Sequence, residues 1–238
     1  MQQQSKYLIY ITAVYSFFFM LPDLLLKKIV YLPIIGAVPF DIFFTGFYFI
    51  ILDIVTEVYG VKEARKLLFA GLISYSLFIL IMELTLHIPS PNSNLLDYRL
   101  ADILMANDTY NFLFKNIYTV WLSVVVCVSI AGWLNMVILS KWKILLKGKY
   151  FWIRSPISSF IAALIYSSIS NISAVGIVIN PAQTYTVCKV IIFSLFIKII
   201  TFILFAYPTT KICDYLKTSE KIDVFDYEIS FNPIKKLK

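Results

Sequence analysis

The chain has 238 residues, of which 60% are hydrophobic and 17% aromatic, with a mean hydropathy of +0.81 and a formal net charge of +7. This composition lies far from that of an average soluble globular protein and is typical of a chain that resides in a lipid bilayer. The apolar runs leave no room for a sizeable soluble domain.

Six apolar runs are long enough to cross a membrane, which takes roughly 20 mostly apolar residues for about 30 Å of hydrocarbon. Each run is continuous, whereas the strands of a membrane barrel alternate between apolar and polar residues. The predicted spans are residues 7–26, 40–59, 67–87, 117–139, 157–179 and 187–207, followed by a tail at 208–238. The sequence therefore predicts an all-α polytopic membrane protein with a single six-helix domain over residues 1–238.

Lys and Arg residues are distributed unevenly between the predicted connections. With the N-terminus inside, the cytoplasmic segments hold fifteen of the 21 Lys and Arg residues and the opposite side holds five, while Lys198 lies within the sixth span. Cytoplasmic loops of membrane proteins carry such an excess. We expect both termini to be cytoplasmic, and the positive charge to reflect topology and not nucleic-acid binding.

Two acids lie near the end of the second predicted span, in "ILDIVTEVYG". Asp53 and Glu57 are four residues apart, so on a helix they share one face about 6 Å apart along the axis. Ionisable residues inside a membrane usually face a cavity or a partner, which favours a binding or proton-coupling site. For Glu57 the alternative is contact with interfacial water or with Arg65, because Gly60 resembles a helix end.

Other polar residues lie within the predicted spans. Lys198 is nearly central in the sixth span, where its side chain of about 6 Å does not easily reach the membrane surface. Asp53 is therefore its expected partner, either in a functional pair or in a purely structural contact. Asn135 in the fourth span and Asn171 in the fifth could line a site or could join helices by hydrogen bonds.

The longest connection, residues 88–116, contains "LLDYRLADILM", which could form a short interfacial helix. This connection could act as a lid or simply as a solvated connector. The three cysteines are scattered and lack the paired spacing of a metal or redox site. One Glu and one His, Glu83 and His87, are weak evidence for a metal site. We find no nucleophile paired with a base and no Walker-type loop. We therefore expect no metal, no cofactor, no ATP hydrolysis and no enzymatic activity.

The segment "DIVTEVYGVKEARKLLFAGL" resembles the signature D-x-x-x-E-V-Y-G-x-x-x-A-R of the VUT family of bacterial queuosine-precursor transporters. "NDTYNFLF" and the tail "LKTSEKIDVFDYEISFNP" are also similar to that family, so the resemblance covers residues 51–233. It implies a six-span fold in the bacterial inner membrane and import of a 7-deazaguanine (preQ0, preQ1 or queuine) for tRNA modification. The family pattern is retained at Asp53, Glu57, Tyr59, Gly60, Arg65, Arg154, Ser158 and Lys198.

The implied substrate has a guanine-like edge, whose two N–H groups a carboxylate can accept together, and a flat ring on which aromatic side chains can stack. We hypothesise that Asp53 or Glu57 accepts that edge and that Lys198 sets the charge of the acid. The predicted substrate-binding residues are Asp53, Glu57, Asn135, Asn171 and Lys198. The predicted structural or coupling residues are Tyr59, Gly60, Arg65, Arg154 and Ser158.

The chain also departs from the family pattern. Polar or charged family positions are occupied here by Thr119, Gly132, Asn135, Ala163 and Tyr166. A divergent member with another nucleobase as cargo therefore stays open. So does a substrate-binding membrane subunit of an energy-coupling vitamin importer, which would need an ATPase partner. Apart from that, the expected partners are a small nucleobase and the lipid bilayer, with no nucleic acid, and an oligomer of identical chains is left open.

Overall fold

A computed structural model describes residues 5–33, 36–88, 98–115, 117–175 and 181–227, with side chains described except at 98–104, 171–175 and 181–187. The chain is mainly helical. Its elements in order are α1 Leu8–Leu25, β1 Ile29–Leu32, β2 Gly36–Pro39, a 3-10 helix Phe40–Phe43, α2 Phe47–Leu86, α3 Tyr98–Phe114, α4 Ile117–Leu145, α5 Phe151–Val175 and α6 Pro181–Glu220.

Four segments of the described chain are long and apolar enough to cross a membrane: Leu8–Leu25, Phe40–Leu86, Met105–Leu145 and Cys188–Glu220. Large apolar side chains cover the outside of these helices. On α2 they recur at helical spacing, as Phe69, Ile73, Leu77, Leu80 and Leu84. Such a stripe suits contact with lipid tails, so the membrane class is confirmed, whereas the number of six spans is not.

The helix α2 is interrupted at Gly60, whose backbone angles are φ 82° and ψ 173°. A continuous helix of 40 residues would be about 60 Å long, twice the thickness of the hydrocarbon. A Cβ placed on Gly132 of α4 would lie 3.1 Å from Leu68 and 3.5 Å from Leu52. In a straight helix these two leucines would be about 24 Å apart. The two halves of α2 therefore fold back beside each other, with a corner at Gly60.

Ring contacts confirm the hairpin form of α2. Phe19 of α1 packs against Tyr48 in the first half and against Tyr75 in the second, with ring centroids 5.7 and 5.6 Å apart respectively. The helix end predicted at Gly60 is thus confirmed. The separate connection predicted for residues 60–66 is wrong, because a glycine with positive φ reverses the chain within one residue and Val61 already belongs to the second half.

A two-stranded antiparallel hairpin follows α1, with Ile29 opposite Pro39 and Leu32 opposite Gly36. The all-α prediction missed it. Each strand has only four residues, too few for an alternating pattern to stand out, although β-branched and aromatic residues in β1 favour an extended chain.

Other helix boundaries also differ from the predicted span limits. The sixth helix continues through Pro208 to Glu220, so the first part of the predicted tail is helical. Residues 98–114 form one helix, which confirms the helix expected in the long connection and extends it, and Tyr110 packs its hydroxyl 2.7 Å from that of Thr85 at the end of α2.

The two ends of the bundle differ in what they carry. The backbone N–H of Tyr7 donates to Glu220 at 2.9 Å, so the start of α1 and the end of α6 lie together. We call this end the terminal face. The end that carries the β1–β2 hairpin, at the other end of α1, is called the hairpin face. The polar residues of the interior can be placed relative to these two faces.

Candidate functional site

Asp53 is at the centre of a buried polar group that joins three helices. Its side chain has no exposed surface. One carboxylate oxygen accepts a hydrogen bond from Asn135 Nδ2 of α4 at 2.6 Å, and the other accepts from Ser155 and Ser159 of α5 at 2.6 and 2.7 Å. We call these four residues the Asp53 cluster. It fixes the first half of α2 to α4 and α5.

The predicted pair between Asp53 and Lys198 is wrong. No salt bridge joins them; the Lys198 ammonium donates to Ser167 at 3.5 Å and lies 4.9 Å from the centre of the Tyr166 ring. Neutral donors from α4 and α5 already occupy both oxygens of the Asp53 carboxylate. Lys198 is instead directed toward a cavity at the hairpin face.

Glu57, one turn beyond Asp53, is buried in an ionic network. Its carboxylate accepts two hydrogen bonds from Arg154, at 3.0 and 3.2 Å, and one from Lys217 at 2.7 Å. Lys143 lies 3.9 Å away, and Glu57 and Arg154 are each only 1% exposed. Cations from α4, α5 and α6 thus converge on one acid of α2.

The alternative contact between Glu57 and Arg65 is also wrong. The Arg65 guanidinium lies 4.2 Å from the centre of the Trp133 ring on α4. Arg65 belongs to the second half of α2, beyond the corner at Gly60, where it reaches α4 by stacking. The partner of Glu57 is Arg154, which the sequence places 97 residues away.

The segment Ile222–Tyr227, which we call the tail segment, covers this network. Asp223 accepts from Lys143 at 2.6 Å and lies 3.1 Å from the Lys217 ammonium. The N–H of Val224 donates to the carbonyl of Val58 at 3.2 Å. The tail segment therefore closes the terminal face over Glu57.

Asp226 attaches the same segment to the corner of α2. Its carboxylate accepts from the N–H of Val61 at 3.2 Å and from Ser140 of α4 at 2.7 Å. Val61 begins the second half of α2, so Asp226 supplies the acceptor that a helix start lacks. A Cβ at Gly60 would lie 2.8 Å from Val224 and 2.9 Å from Asp226. Only a glycine allows this approach.

Asp223 lies outside the helices, in the tail segment. Burial favours its neutral form, but hydrogen bonds and charge from Lys143 and Lys217 outweigh burial and lower the pKa of Asp223 below its usual 3.8. Asp223 is therefore charged at neutral and at mildly acidic pH.

A cavity of about 540 Å³ lies at the hairpin face, between the β1–β2 hairpin, the start of the second apolar segment, α5 and α6. Most of its wall is apolar. Its polar lining residues are Asp41, Thr45, Tyr166, Ser167, Ser170, Ser194 and Lys198.

Two opposite charges face this cavity without forming an ion pair. Asp41 Oδ1 is buried and has no hydrogen-bond partner among the described residues. Lys198 is 3% exposed, and no salt bridge connects it to Asp41. With the Tyr166 ring, the cavity offers an acceptor, a donor and an aromatic surface, which suits a small flat ligand with N–H and carbonyl groups.

The predicted site residues thus fall into separate places. Asp53, Glu57 and Asn135 lie together, but Lys198 lines the cavity. Asn171 is in α5, and its side chain lies outside the described part of the chain. Of the predicted structural residues, Gly60, Arg65 and Arg154 have the contacts given above. Ser158 is buried and donates to the carbonyl of Ser155 at 3.0 Å, and Tyr59 is buried beside the corner.

The sequence pattern does not single out several residues of these groups. Asp41 looks like an acid at the edge of an apolar run, and Lys143 and Lys217 entered only as cytoplasmic charges. Ser155 and Ser159 are four apart on α5, which was the available signal for a pair on one face. The remaining missed residues are Ser140, Asp223 and Asp226.

Comparison with known proteins gives one family match. A family model described as "Putative vitamin uptake transporter" matches residues 39–212, a range that includes Asp41, the Asp53 cluster, Glu57 and Lys198. No curated protein and no solved structure matches the chain.

Proposed function

Because the chain belongs to the VUT family, described as "Putative vitamin uptake transporter" and matched over residues 39–212, we propose that it imports a queuosine precursor for tRNA modification. The substrate is a 7-deazaguanine such as preQ0 or preQ1, or queuine. The proposed setting is a bacterial inner membrane, with one domain of six spans and both termini cytoplasmic.

The cavity at the hairpin face carries this proposal. Its volume of about 540 Å³ lies in the usual range of about 300–1,000 Å³ for small-molecule pockets. Apolar walls with a few polar groups are the usual composition of such sites. Under the proposed orientation the hairpin face is external, so the cavity lies on the side from which an imported molecule arrives.

Asp41, and not Asp53 or Glu57, is the acid proposed to accept the N–H groups of the guanine-like edge. Both earlier candidates already accept several hydrogen bonds and do not line the cavity. Asp41 does line it, and its buried Oδ1 has no hydrogen-bond partner among the described residues. A carboxylate there can accept the two adjacent N–H groups of a guanine-like edge.

Two further groups complete the recognition. Tyr166 offers its ring for stacking, and Lys198 can donate to the carbonyl of the base. One carboxylate and one ammonium leave the cavity with no net charge from these two groups. Tyr166 is also one of the positions where the chain departs from the family pattern, so this wall affects the choice among related bases.

The test uses cells that cannot make the precursor and lack their own importer, supplied with limiting external preQ1. Expression of the wild-type chain should restore queuosine in tRNA. Asp41→Asn should reduce that restoration at least tenfold, since an amide cannot accept both N–H groups. Asp108→Asn, which changes an exposed acid of α3, is the matched control and should behave as wild type.

Protein levels in the membrane are measured by immunoblot for every variant. If the wild-type chain is present in the membrane and queuosine is not restored, the proposed cargo is wrong. If Asp41→Asn restores queuosine as well as wild type at equal protein level, the proposed reading of the base by Asp41 is wrong.

A further inference from the structure

We propose that Asp53 is a proton-binding site that couples import to the proton gradient, with Asn135 as the group that adapts to either protonation state. This inference rests on the proposed transport function and goes beyond it, because Asp53 lies outside the substrate cavity. It follows from three features of the Asp53 cluster: burial, neutral partners and an unused acceptor.

Burial is complete, and within the described residues no salt bridge reaches Asp53. Among the described residues, the ionisable groups that interact electrostatically with it are Glu57 on its own helix and Cys213 on α6. Arg154, next to Ser155 in sequence, is bound to Glu57. A carboxylate without a cationic partner inside a membrane is costly to keep charged, so the binding of a monovalent cation would be favoured.

Asn135 can satisfy both forms of the acid. Its Nδ2 donates to Asp53, while its own Oδ1 is buried and lacks a hydrogen-bond partner in the described structure. Rotation of the amide by half a turn would bring Oδ1 to the carboxyl group. A protonated Asp53 could then donate its new O–H to that oxygen. The cluster therefore contains a hydrogen-bonding arrangement for each state.

The distances favour a proton over a metal cation. The two serine hydroxyls lie 2.6 and 2.7 Å from one oxygen of Asp53, which are ordinary lengths for O–H···O⁻ hydrogen bonds. A sodium ion held by these oxygens would have to force them apart. A proton needs no additional volume, because it binds to a carboxylate oxygen and leaves from the same atom.

Asp53 lies between the terminal face and the cavity, so a change in its charge can affect the helix contacts at both. Glu57 and the tail segment lie one turn further toward the terminal face, and the cavity lies toward the hairpin face. Protonation removes the charge that holds Ser155 and Ser159, so the contact of α2 with α5 weakens. Since Arg154 of α5 also holds Glu57, a shift of α5 would loosen the closed terminal face.

The test uses the purified full-length chain in proteoliposomes, with radiolabelled preQ1 as the probe. Two modes are measured: accumulation driven by an acid exterior, and exchange of preQ1 at equal pH on both sides. Wild type should perform both. Asp53→Asn should lose accumulation at least tenfold and retain exchange, while the exposed control Asp108→Asn should retain both.

Three outcomes would overturn the proposal. In the first, Asp53→Asn accumulates preQ1 as wild type does. In the second, a sodium gradient and not a pH gradient drives accumulation by wild type. In the third, Asp53→Asn is folded but loses exchange together with accumulation, which would assign Asp53 to substrate binding.

A measurement without substrate separates this proposal from the proposed function. Infrared difference spectra of wild type should show a protonated carboxyl band that disappears as pH rises and that is absent in Asp53→Asn. If wild type neither accumulates nor exchanges preQ1 but shows this band, the cargo is wrong and the proton site stands. If Asp53→Asn does not fold, Ser159→Ala must shift the pH at which the band disappears, and an unchanged pH overturns the proposal.

Discussion

Asp53 and Glu57 lie one turn apart on the same helix, yet they have different partners. Asp53 accepts hydrogen bonds from an amide and two hydroxyls, whereas Glu57 accepts from a guanidinium and an ammonium. The four-residue spacing suggested one site with two acids, but Asp53 and Glu57 belong to two groups of residues with different chemistry. One can change its charge without breaking an ion pair, and the other cannot.

Removal of the Glu57 charge should destabilise the protein strongly. In Glu57→Gln the buried cations Arg154 and Lys143 lose their common counter-charge, and breaking a buried pair in this way typically costs about 3–5 kcal/mol. We expect a large fall in the thermal unfolding midpoint of the purified protein in detergent. The measurement is fluorescence-monitored unfolding at several heating rates.

Glu63→Gln is the matched control for that change. Glu63 also pairs with a lysine, Lys66, but that lysine is 58% exposed, and such surface pairs contribute about 0–1 kcal/mol. Equal midpoints for the two variants would contradict the structural role assigned to Glu57.

At the scale of the elements, the corner of α2 decides how the interior is arranged. Gly60 lets the two halves of α2 lie side by side, with Gly132 giving room for a leucine from each half. This arrangement leaves the carbonyl of Val58 and the N–H of Val61 without the helix partners they would otherwise have. The tail segment supplies those partners through Val224 and Asp226.

Gly60→Ala should therefore expose the tail segment as well as strain the corner. The backbone conformation at Gly60 costs other residues about 1–3 kcal/mol, and the added Cβ would meet Val224 and Asp226. We expect faster tryptic cleavage at Lys221. The measurement is limited proteolysis followed by mass spectrometry of the released C-terminal peptide.

Gly36→Ala separates strain from the tail contact. Gly36 also has a positive φ, of +96°, but a Cβ there meets nothing within 4 Å. It should lower stability without faster cleavage at Lys221. If both variants expose the tail segment equally, the close contact at Gly60 is not what holds it.

For the whole molecule, the features that could be predicted are those that depend on residues close together in the sequence. Apolar runs predict membrane helices because hydrocarbon thickness sets their length. The helix end at Gly60 also follows from the local sequence, whereas the reversal of the chain within one residue does not. The pairing of Glu57 with Arg154 could not be predicted, because it depends on how α2 packs against α5 across 97 residues. Lys198 was recognised as buried, but its direction toward the cavity depends on the rotation of α6.

The contacts of the tail segment could not be predicted from the sequence either. Its sequence was noticed as part of a family resemblance, but nothing in the sequence indicated that Asp223 would join Lys143 and Lys217 over Glu57. Nineteen residues of α6 separate Lys217 from Lys198, about 28 Å along a helix. The closed terminal face and the cavity at the hairpin face therefore lie about five helical turns apart along α6. Under the proposed function, a transport cycle has to open the terminal face without disturbing the residues proposed to bind the substrate in the cavity.

Docking of the tail segment should resist mild acid. Since the pKa of Asp223 is lowered below 3.8 by Lys143 and Lys217, its contribution to docking is fully present above about pH 4 and is lost only as pH falls through the lower folded value. Protection of the tail segment should therefore be unchanged from neutral pH to pH 5. The measurement is hydrogen–deuterium exchange of residues 222–227 at each pH, corrected for the pH dependence of intrinsic amide exchange, because tryptic cleavage and lysine labelling both slow in acid. Asp223→Asn should reduce protection at every pH in that range, and the exposed acid Asp108 changed to Asn should leave it as in wild type. A loss of protection between neutral pH and pH 5 in wild type would mean that a group other than Asp223 controls release of the tail segment, and the ionic closure of the terminal face would then have to be assigned to that group.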